Sequence, residues 1–300
     1  MRILLTGSGG LIGHALLTSL TADGHTVVRL VRPQAHASAP DITWDPDAGT
    51  VSPGELEGFD AVVHLAGESI MGRWTPAKKA RILQSRIKGT QLLSESLAHL
   101  RSRPDVLVSA SAIGYYGNRG EQVLNEESPG GSLFLSEVAK AWEASTESAK
   151  SSGIRVVNLR IGFVLSKTGG GLATMLLPFR LGLGGRVGNG RQYISWIAID
   201  DLVGAISHAI GSDSLRGAVN AVAPNPVTNR EFTKTLGRVL GRPTIVPLPG
   251  FAVSMAMGEM GNELLLAGAR VSPARLLASG YEFSFPELEA ALRHVLRKIT

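Results

Sequence analysis

The sequence predicts an α/β protein, a doubly wound parallel sheet with a smaller C-terminal cap. Three observations predict it. A short apolar run, Ile3-Leu4-Leu5, breaks at once into Gly7, Gly9, Gly10 and Gly13, after which Leu16, Leu17 and Leu20 continue at helical spacing. Strand-like runs then alternate with 3.6-residue helical patterns up to the run Ile154-Arg-Val-Val-Asn-Leu159, the signature of parallel strands joined by right-handed crossovers. After Val164 the pattern gives way to glycine-rich loops and short helices. The expected boundaries are 1–165 for the sheet domain and 166–300 for the cap, with about 195–222 returning to the sheet domain.

The elements follow in order. Gly7, Gly10 and Gly13 have the spacing G-x-x-G-x-x-G between a strand and a helix. In that context one glycine permits the bend, one lets backbone amides approach a pyrophosphate, and one lets the helix pack on the strand. The pyrophosphate sits on the helix N-terminus, where free N–H groups and the dipole favour an anion. Thr26–Val31 reads as a second strand ending at Arg32, with Arg29 nearby and no carboxylate before Asp41. A carboxylate at this place holds a ribose 2′-hydroxyl, whereas an arginine accommodates a 2′-phosphate. The expected cofactor is therefore NADP(H); the bland alternative for Arg32 is a charge capping a sheet edge.

Ile42–Asp45 is a short strand followed by a turn with Pro46, Asp47 and Gly49. Asp60–Gly67 is nearly all apolar, as a buried parallel strand should be, and ends where doubly wound sheets place their ligands. A helix from about Pro76 to Leu97 turns Ile82, Ile87, Leu92 and Leu93 inward and its basic residues outward. Asp105–Ser111 is the fifth strand. One long helix is expected from about Leu133 to Lys150, with the stripe Leu135, Val138, Ala139, Trp142, Thr146 and Ala149. Ile154–Leu159 is the sixth strand. Beyond it, 169–171 and 182–190 read as loops, and Asp200-Asp201 starts a helix through Ile210, carboxylates being favourable there. Residues 243–262 read as irregular, Pro273 opens a short helix, and a last helix runs from Phe285-Pro286 to near Arg297.

Composition removes several function classes. The chain has no cysteine, hence no disulfide framework, thiolate nucleophile or cysteine zinc site, and no metal site is expected. Its net charge is +5 and its pI near 9.7, yet the basic residues are spread out, with one concentration at Arg73, Lys78, Lys79, Arg81, Arg86 and Lys88. Only 5% of residues are aromatic, too few for a base-stacking platform, so a solvated helix face or attraction to a phosphorylated small molecule explains that concentration better than nucleic acid. No apolar stretch is long enough to span a bilayer, Arg180 interrupting the best one, and nothing reads as a secretory signal. The expectation is a soluble, cytoplasmic protein with a small-molecule substrate and no nucleic-acid or membrane partner. The oligomeric state is left open, a homodimer being one alternative.

Thr6–Gly13, His64-Leu-Ala-Gly67 and Ser109-Ala-Ser-Ala-Ile-Gly-Tyr-Tyr-Gly117 together resemble the extended short-chain dehydrogenase/reductases, the superfamily of nucleotide-sugar epimerases. Gly67-Glu-Ser-Ile, Arg73-Trp74, Pro178–Gly185, Trp196-Ile-x-x-Asp-Asp-Leu202 and Glu263-Leu-Leu-Leu-Ala-Gly-x-Arg-Val are similar to the atypical subgroup labelled "epimerase family protein", including its C-terminal domain of unknown function. The resemblance covers essentially the whole chain. It implies a Rossmann-type domain binding NADP(H), with cofactor contacts at Gly7, Gly9, Gly10, Leu11, Ile12, Gly13, Arg32, Asp45, Leu65, Ala66 and Gly67, and further candidates at Arg86 and Val164. It implies a hydroxyl residue, a proton-transferring tyrosine and a lysine four residues after it. With Ser111 as the hydroxyl, the spacing lands on Ser136 and Lys140: the lysine is present and the tyrosine is not; the alternative register, allowed by the doubled Tyr115-Tyr116, puts Ala112 where the serine belongs.

A serine hydroxyl does not replace a phenol as a proton relay without another base. Tyr115, Tyr116 and Glu68 are the other candidate acids, each just past a strand end. The bland readings are a wall residue for the tyrosines, a helix-end carboxylate for Glu68, a lysine paired with Glu137 or Glu143 for Lys140, and a satisfied core histidine for His64. Arg180, Arg186 and Arg191 are candidates for an anionic substrate in the cap. The function expected is an NADP(H)-dependent oxidoreductase or epimerase-like enzyme; the alternative is a non-catalytic NADP(H)-binding redox sensor.

Overall fold

The computed structural model describes residues 1–33 and 40–297. Its first strand, β1 (Arg2–Thr6), is covered on both faces: Ile3 and Leu5 enter one core cluster and Leu4 the other. That is why the run is continuously apolar instead of alternating. The glycine turn leads into α1 (Leu11–Ala22), followed by β2 (Thr26–Val31), β3 (Ile42–Asp45) and β4 (Thr50–Val51). Then come β5 (Ala61–His64), α2 (Pro76–Ala98) and β6 (Val106–Ala112). The start of α2 is set by Pro76 in the first turn and by Thr75, whose hydroxyl accepts the Lys78 N–H, both common entry signals.

After β7 (Val123–Leu124) come α3 (Phe134–Ala144), α4 (Glu147–Ser151) and β8 (Arg155–Ile161). The single helix expected over 133–150 is therefore two. Ser145 and Thr146 donate their hydroxyls to the carbonyls of Ala141 and Glu143, and this back-bonding competes with continuation of the helix. The stripe still faces inward across the break, with Val138, Ala139, Trp142, Thr146 and Ala149 buried.

The remaining elements are β9 (Phe163–Leu165), α5 (Gly170–Arg180), β10 (Tyr193–Ile194), β11 (Trp196–Ala198), α6 (Ile199–Gly211), β12 (Gly217–Ala221), β13 (Val227–Thr228), α7 (Asn229–Leu240), α8 (Gly250–Gly261), β14 (Arg270–Val271), α9 (Ala274–Ala278) and α10 (Leu288–Val295). The stretch expected to be irregular thus contains α8, which bends at Gly258 (φ 59°) and runs into a π-helical turn at Asn262–Leu266. Only Val253, Met260 and Gly261 of α8 are buried, so it carries no apolar periodicity from which a helix could be read.

The main sheet has the order β12-β8-β6-β5-β1-β2-β3-β4, parallel throughout except for the β3–β4 pair. The chain builds outward from β1 through β2 and β3, then returns to the other side of β1 with β5. Ligands of such sheets bind at that switch point, outside the carboxyl ends of the strands. On one face α1 and α6 pack Leu16, Leu20, Leu202 and Ile206 against the sheet; on the other α2 and α4 pack Leu93, Leu97 and Ala149. A third cluster, including Leu172, Phe179, Trp196, Phe232 and Leu292, holds α5, α7 and α10 together beside the sheet.

Candidate functional site at the sheet switch point

The glycine turn is a tight backbone crossing. Gly7 has φ +71°, and a Cβ there would lie 2.7 Å from the Leu65 carbonyl carbon, at the end of β5. A Cβ on Gly13 would lie 2.2 Å from the Gly7 oxygen, so only hydrogen lets α1 approach the turn. At Gly9, by contrast, a Cβ would meet nothing within 4 Å. Gly10 caps α1 without a side-chain hydrogen bond, and the first turn of α1 contains no acidic residue. The helix end is left as backbone N–H groups facing open space, a cradle for an anion. Leu11 packs against Gly169 and Gly170, and Ile12 against the α1-side core. A cleft of about 800 Å³ opens here, between Gly9–Ala15 and residues 166–170, with Asp200 and His294 at its rim. That volume suits a small-molecule site.

A buried polar chain fixes the neighbouring strand end. The Thr6 hydroxyl accepts the N–H groups of Leu65 and Ala66, so its own proton goes to His64 Nδ1, 2.8 Å away. The imidazole then carries its proton on Nε2 and donates it to Thr90 Oγ1, which also accepts the Trp142 indole N–H. Burial drives the His64 pKa down to about 4, so this histidine is neutral and structural. The amides of Leu65 and Ala66 are spent on Thr6, and what these residues offer a ligand is their half-exposed outer surface, next to exposed Gly67.

Cations collect beyond the ends of β2 and β5. Glu68 accepts a 2.6 Å hydrogen bond from Lys78, has Arg81 3.8 Å away, and is held below the usual carboxylate range by Lys78 first and by Arg81 and Arg32 as well. Arg32 itself is exposed at the end of β2. Arg86 lies under Gly67, donates to the carbonyls of Glu68 and Ile82, and sits 4.8 Å from the Trp142 ring centroid. Its burial lowers its pKa to about 10. Asp45 is engaged in its own turn, one oxygen accepting the N–H groups of Asp47 and Ala48. Val164 is half-buried in β9 opposite Ile197 of β11.

The proton-transfer candidates divide into two sets. Ser111 is buried and donates to Glu143 at 2.7 Å. Arg160 grips the same carboxylate with two 2.8 Å bonds. Burial opposes the Arg160 charge, but Glu143 outweighs it and the pKa rises. Arg160 also donates to the Tyr116 hydroxyl, which donates to Asn220, and Tyr116 is wholly enclosed, with burial raising its pKa. Ser111 and Tyr116 are thus parts of an internal network. Glu143 goes to Arg160, while Lys140 pairs with Glu137 at 2.8 Å and donates to the Gly131 carbonyl.

Tyr115 differs from its neighbour. It is half-exposed, its ring lies over the Arg160 guanidinium at 3.4 Å, and among the described residues its hydroxyl makes no hydrogen bond. A Cβ on Gly130 would lie 3.1 Å from Tyr115 Cζ and 2.7 Å from Lys140 Cε. The phenol and the lysine therefore flank one glycine. Ser136, where the resemblance leads one to expect a tyrosine, is fully buried, donates to the Gly114 carbonyl, and is tightly enclosed, a Cβ on Gly131 or Gly117 lying 2.9 or 3.2 Å from its hydroxyl.

Sequence reasoning missed the residues that tie the cap across this rim. Glu263, from the π-helical turn, accepts the N–H groups of Phe134 and Leu135, capping α3 from outside. Lys79 of α2 pairs with Glu259 at 2.7 Å. Asp201 is buried and caps Ser284 and Phe285. The quoted motifs contain Glu263 and Asp201, and Lys79 belongs to the basic concentration, but nothing in them, nor any periodicity, showed which partners these residues would meet. Among the described residues no three His, Asp or Glu side chains cluster to hold a metal, and no helix is long and apolar enough to cross a membrane.

Comparison with known proteins agrees with this geometry. The NAD dependent epimerase/dehydratase family model matches residues 3–221, and a domain of unknown function (DUF1731) matches 248–295. An epimerase family protein of Mycobacterium bovis is 43% identical over 97% of this chain and 96% of its own. The human epimerase family protein SDR39U1 is 40% identical over 99% of this chain and 100% of its own. The crystal structure of its isoform 2, solved with NADPH, superposes with a TM-score of 0.90 over 98% of this chain and 99% of that one, at 39% identity. A nucleoside-diphosphate sugar epimerase from Corynebacterium glutamicum gives 0.82 at 36% identity, over 99% of this chain and 58% of that one.

Proposed function

The chain belongs to the NAD-dependent epimerase/dehydratase family, and from that premise we propose that it binds NADP(H) and transfers hydride between the nicotinamide and a small carbonyl or alcohol substrate. The observation that carries this reading is the glycine turn, drawn tight against α1 at Gly13 and open at Gly9. The human relative solved with NADPH supports the choice of cofactor, as do Arg32, Lys78 and Arg81 around Glu68.

When bound, the nicotinamide supplies the hydride. The N–H groups at the start of α1 hold the pyrophosphate, and Arg32 meets the 2′-phosphate. Tyr115 exchanges the proton with the substrate oxygen, with Lys140 across Gly130 from it and the Arg160 guanidinium stacked on its ring. Ser111 and Glu143 act behind it by holding Arg160. The family's Tyr–Lys pairing is rebuilt with the phenol supplied by the turn after β6 in place of α3.

A second reading, a non-catalytic NADP(H) sensor, is favoured by one observation, the closed space around Ser136. Calorimetric titration tests the shared half first. NADPH should bind more tightly than NADH, and Arg32→Ala should weaken NADPH about tenfold, roughly 1.4 kcal/mol, without changing NADH. No binding of either nucleotide at about 1 mM sinks both readings. A panel of carbonyl substrates then separates them: Tyr115→Phe should lower turnover about 10²- to 10⁴-fold at unchanged NADPH affinity. NADPH binding with no turnover of any carbonyl leaves the sensor.

A further inference from the structure

We propose that the cap carries a second anion site, remote from the glycine turn, that takes a small phosphorylated molecule without an aromatic base. The site is a pocket of about 440 Å³ lined by Arg186, Arg230, Thr233, Lys234, Ile245 and Pro247, among others. Its cations come from two separate pieces of chain. Arg186 lies in the segment that runs beside Leu248: the Arg186 carbonyl accepts the Leu248 N–H, and Val187 bridges to Leu248. Arg230 and Lys234 are on α7, one turn apart.

Several contacts hold the two pieces together. The Asn229 side chain accepts the Val187 N–H, and the Arg230 N–H goes to the Gly190 carbonyl. A Cβ on Gly190 would touch the Cβ atoms of both Arg230 (3.3 Å) and Arg186 (3.5 Å). The two guanidiniums share one protein acceptor, the Asn189 carbonyl, at 3.4 and 3.5 Å, the edge of hydrogen-bond distance. Neither they nor Lys234 forms an ion pair among the described residues.

This arrangement serves no local purpose. Arg230 and Lys234 are like charges at i and i+4, which destabilises a helix, and cations near a helix N-terminus oppose its dipole. The N-terminus of α7 is already closed by a Thr228–Glu231 capping box, so it offers nothing to an anion itself. On the same helix Arg238 does have a carboxylate, Glu289. The independent sign of a ligand is Thr233. It is 2% exposed, lines the pocket, and its hydroxyl has no hydrogen-bond partner; a buried polar group in that state calls for an explanation. An anion held by the three cations would give this hydroxyl the acceptor it lacks. Paired guanidiniums suit phosphate oxygens. Ile245 and Pro247 give the pocket an apolar wall, and it has no aromatic side chain on which a base would stack.

The test uses inorganic pyrophosphate, titrated calorimetrically into the full chain at about 150 mM salt, alone and after saturation with NADPH. Saturation occupies the glycine turn, so heat that remains reports the cap. Binding at submillimolar Kd that persists under NADPH and falls at least about tenfold in Arg230→Ala/Lys234→Ala is the expected result, with NADPH affinity unchanged and the thermal midpoint no lower. Thr233→Val should weaken pyrophosphate severalfold, whereas Arg216→Ala, a cation elsewhere on the surface, should not. Pyrophosphate binding that survives the double variant, or no binding at about 10 mM, overturns the site. Tighter binding of a short oligonucleotide, lost in the same double variant, overturns the small-molecule assignment in favour of nucleic acid. If NADPH itself does not bind, the titration without it still decides the cap site, because only the double variant separates the two locations.

Discussion

The two halves of the candidate site, the glycine turn and the end of β6, are built from different materials. At residues 7–13 the site is backbone: bare N–H groups, a left-handed Gly7 and a Gly13 with no space beside it. At residues 111–160 it is side chain: Ser111, Tyr115, Tyr116, Glu143 and Arg160, drawn from β6, the turn after it, α3 and β8 into one network. The first tolerates no added atom at Gly7 or Gly13 yet presents an open face at Gly9. The second is full: Ser111, Tyr116 and Arg160 are buried, while Tyr115 and the neighbouring Lys140 are half-exposed. The difference teaches that one end is specified by where side chains are missing, the other by which side chains find each other.

The sharpest break of this contrast is Gly13→Val. Its Cβ would collide with the Gly7 carbonyl, backbone against backbone, and we expect at least about 5 kcal/mol of destabilisation together with loss of NADPH binding, read by urea unfolding and calorimetry. Gly9→Ala separates the two effects. With open space around its Cβ, it should leave stability within about 0.5 kcal/mol while weakening NADPH, because the methyl occupies the place of the pyrophosphate. Equal losses of stability and affinity in that variant would refute the open-face description.

At the other end, Arg160→Met strands Glu143 inside the protein. Breaking one side of a buried ion pair costs about 3–5 kcal/mol, and adding Glu143→Leu should recover most of it. A double variant no more stable than the single one would mean that the network is not the source of the cost.

His64 joins the two ends, and its contribution depends on pH. Its folded pKa, about 4, lies below the ordinary value of 6.5, so between these values the unfolded chain binds more protons. Stability from the neutral imidazole is complete above about pH 6.5 and falls as the pH drops toward 4, by roughly 3 kcal/mol in all. Unfolding free energies measured from pH 7 to 4 should slope in the wild type and flatten in His64→Gln; parallel slopes would remove His64 as the cause.

Ser136→Ala makes the smallest change. Losing its bond to the Gly114 carbonyl should cost about 1 kcal/mol and leave turnover of any accepted substrate as it was. A fall in turnover would return the proton-transfer role to position 136.

The sequence by itself determined the features that depend on local backbone. Ile3–Leu5 had to be a two-sided buried strand, the glycines after it had to turn into α1, and Arg32 at the end of β2 pointed to a 2′-phosphate. The extended strands and most helices follow from the same short-range periodicity. Tertiary structure decided what crosses long sequence separations. Lys140 and Arg160 both had a claim on Glu143, and the fold gave it to Arg160, seventeen residues away, because β8 brings the guanidinium beneath the strand end in a buried place where two hydrogen bonds to a carboxylate hold its charge. It placed a phenol beside Lys140 from the turn after β6, closed the space at Ser136, and set Glu263 on the start of α3. Side-chain pairings of this kind carry no period; they are fixed only when separate elements pack.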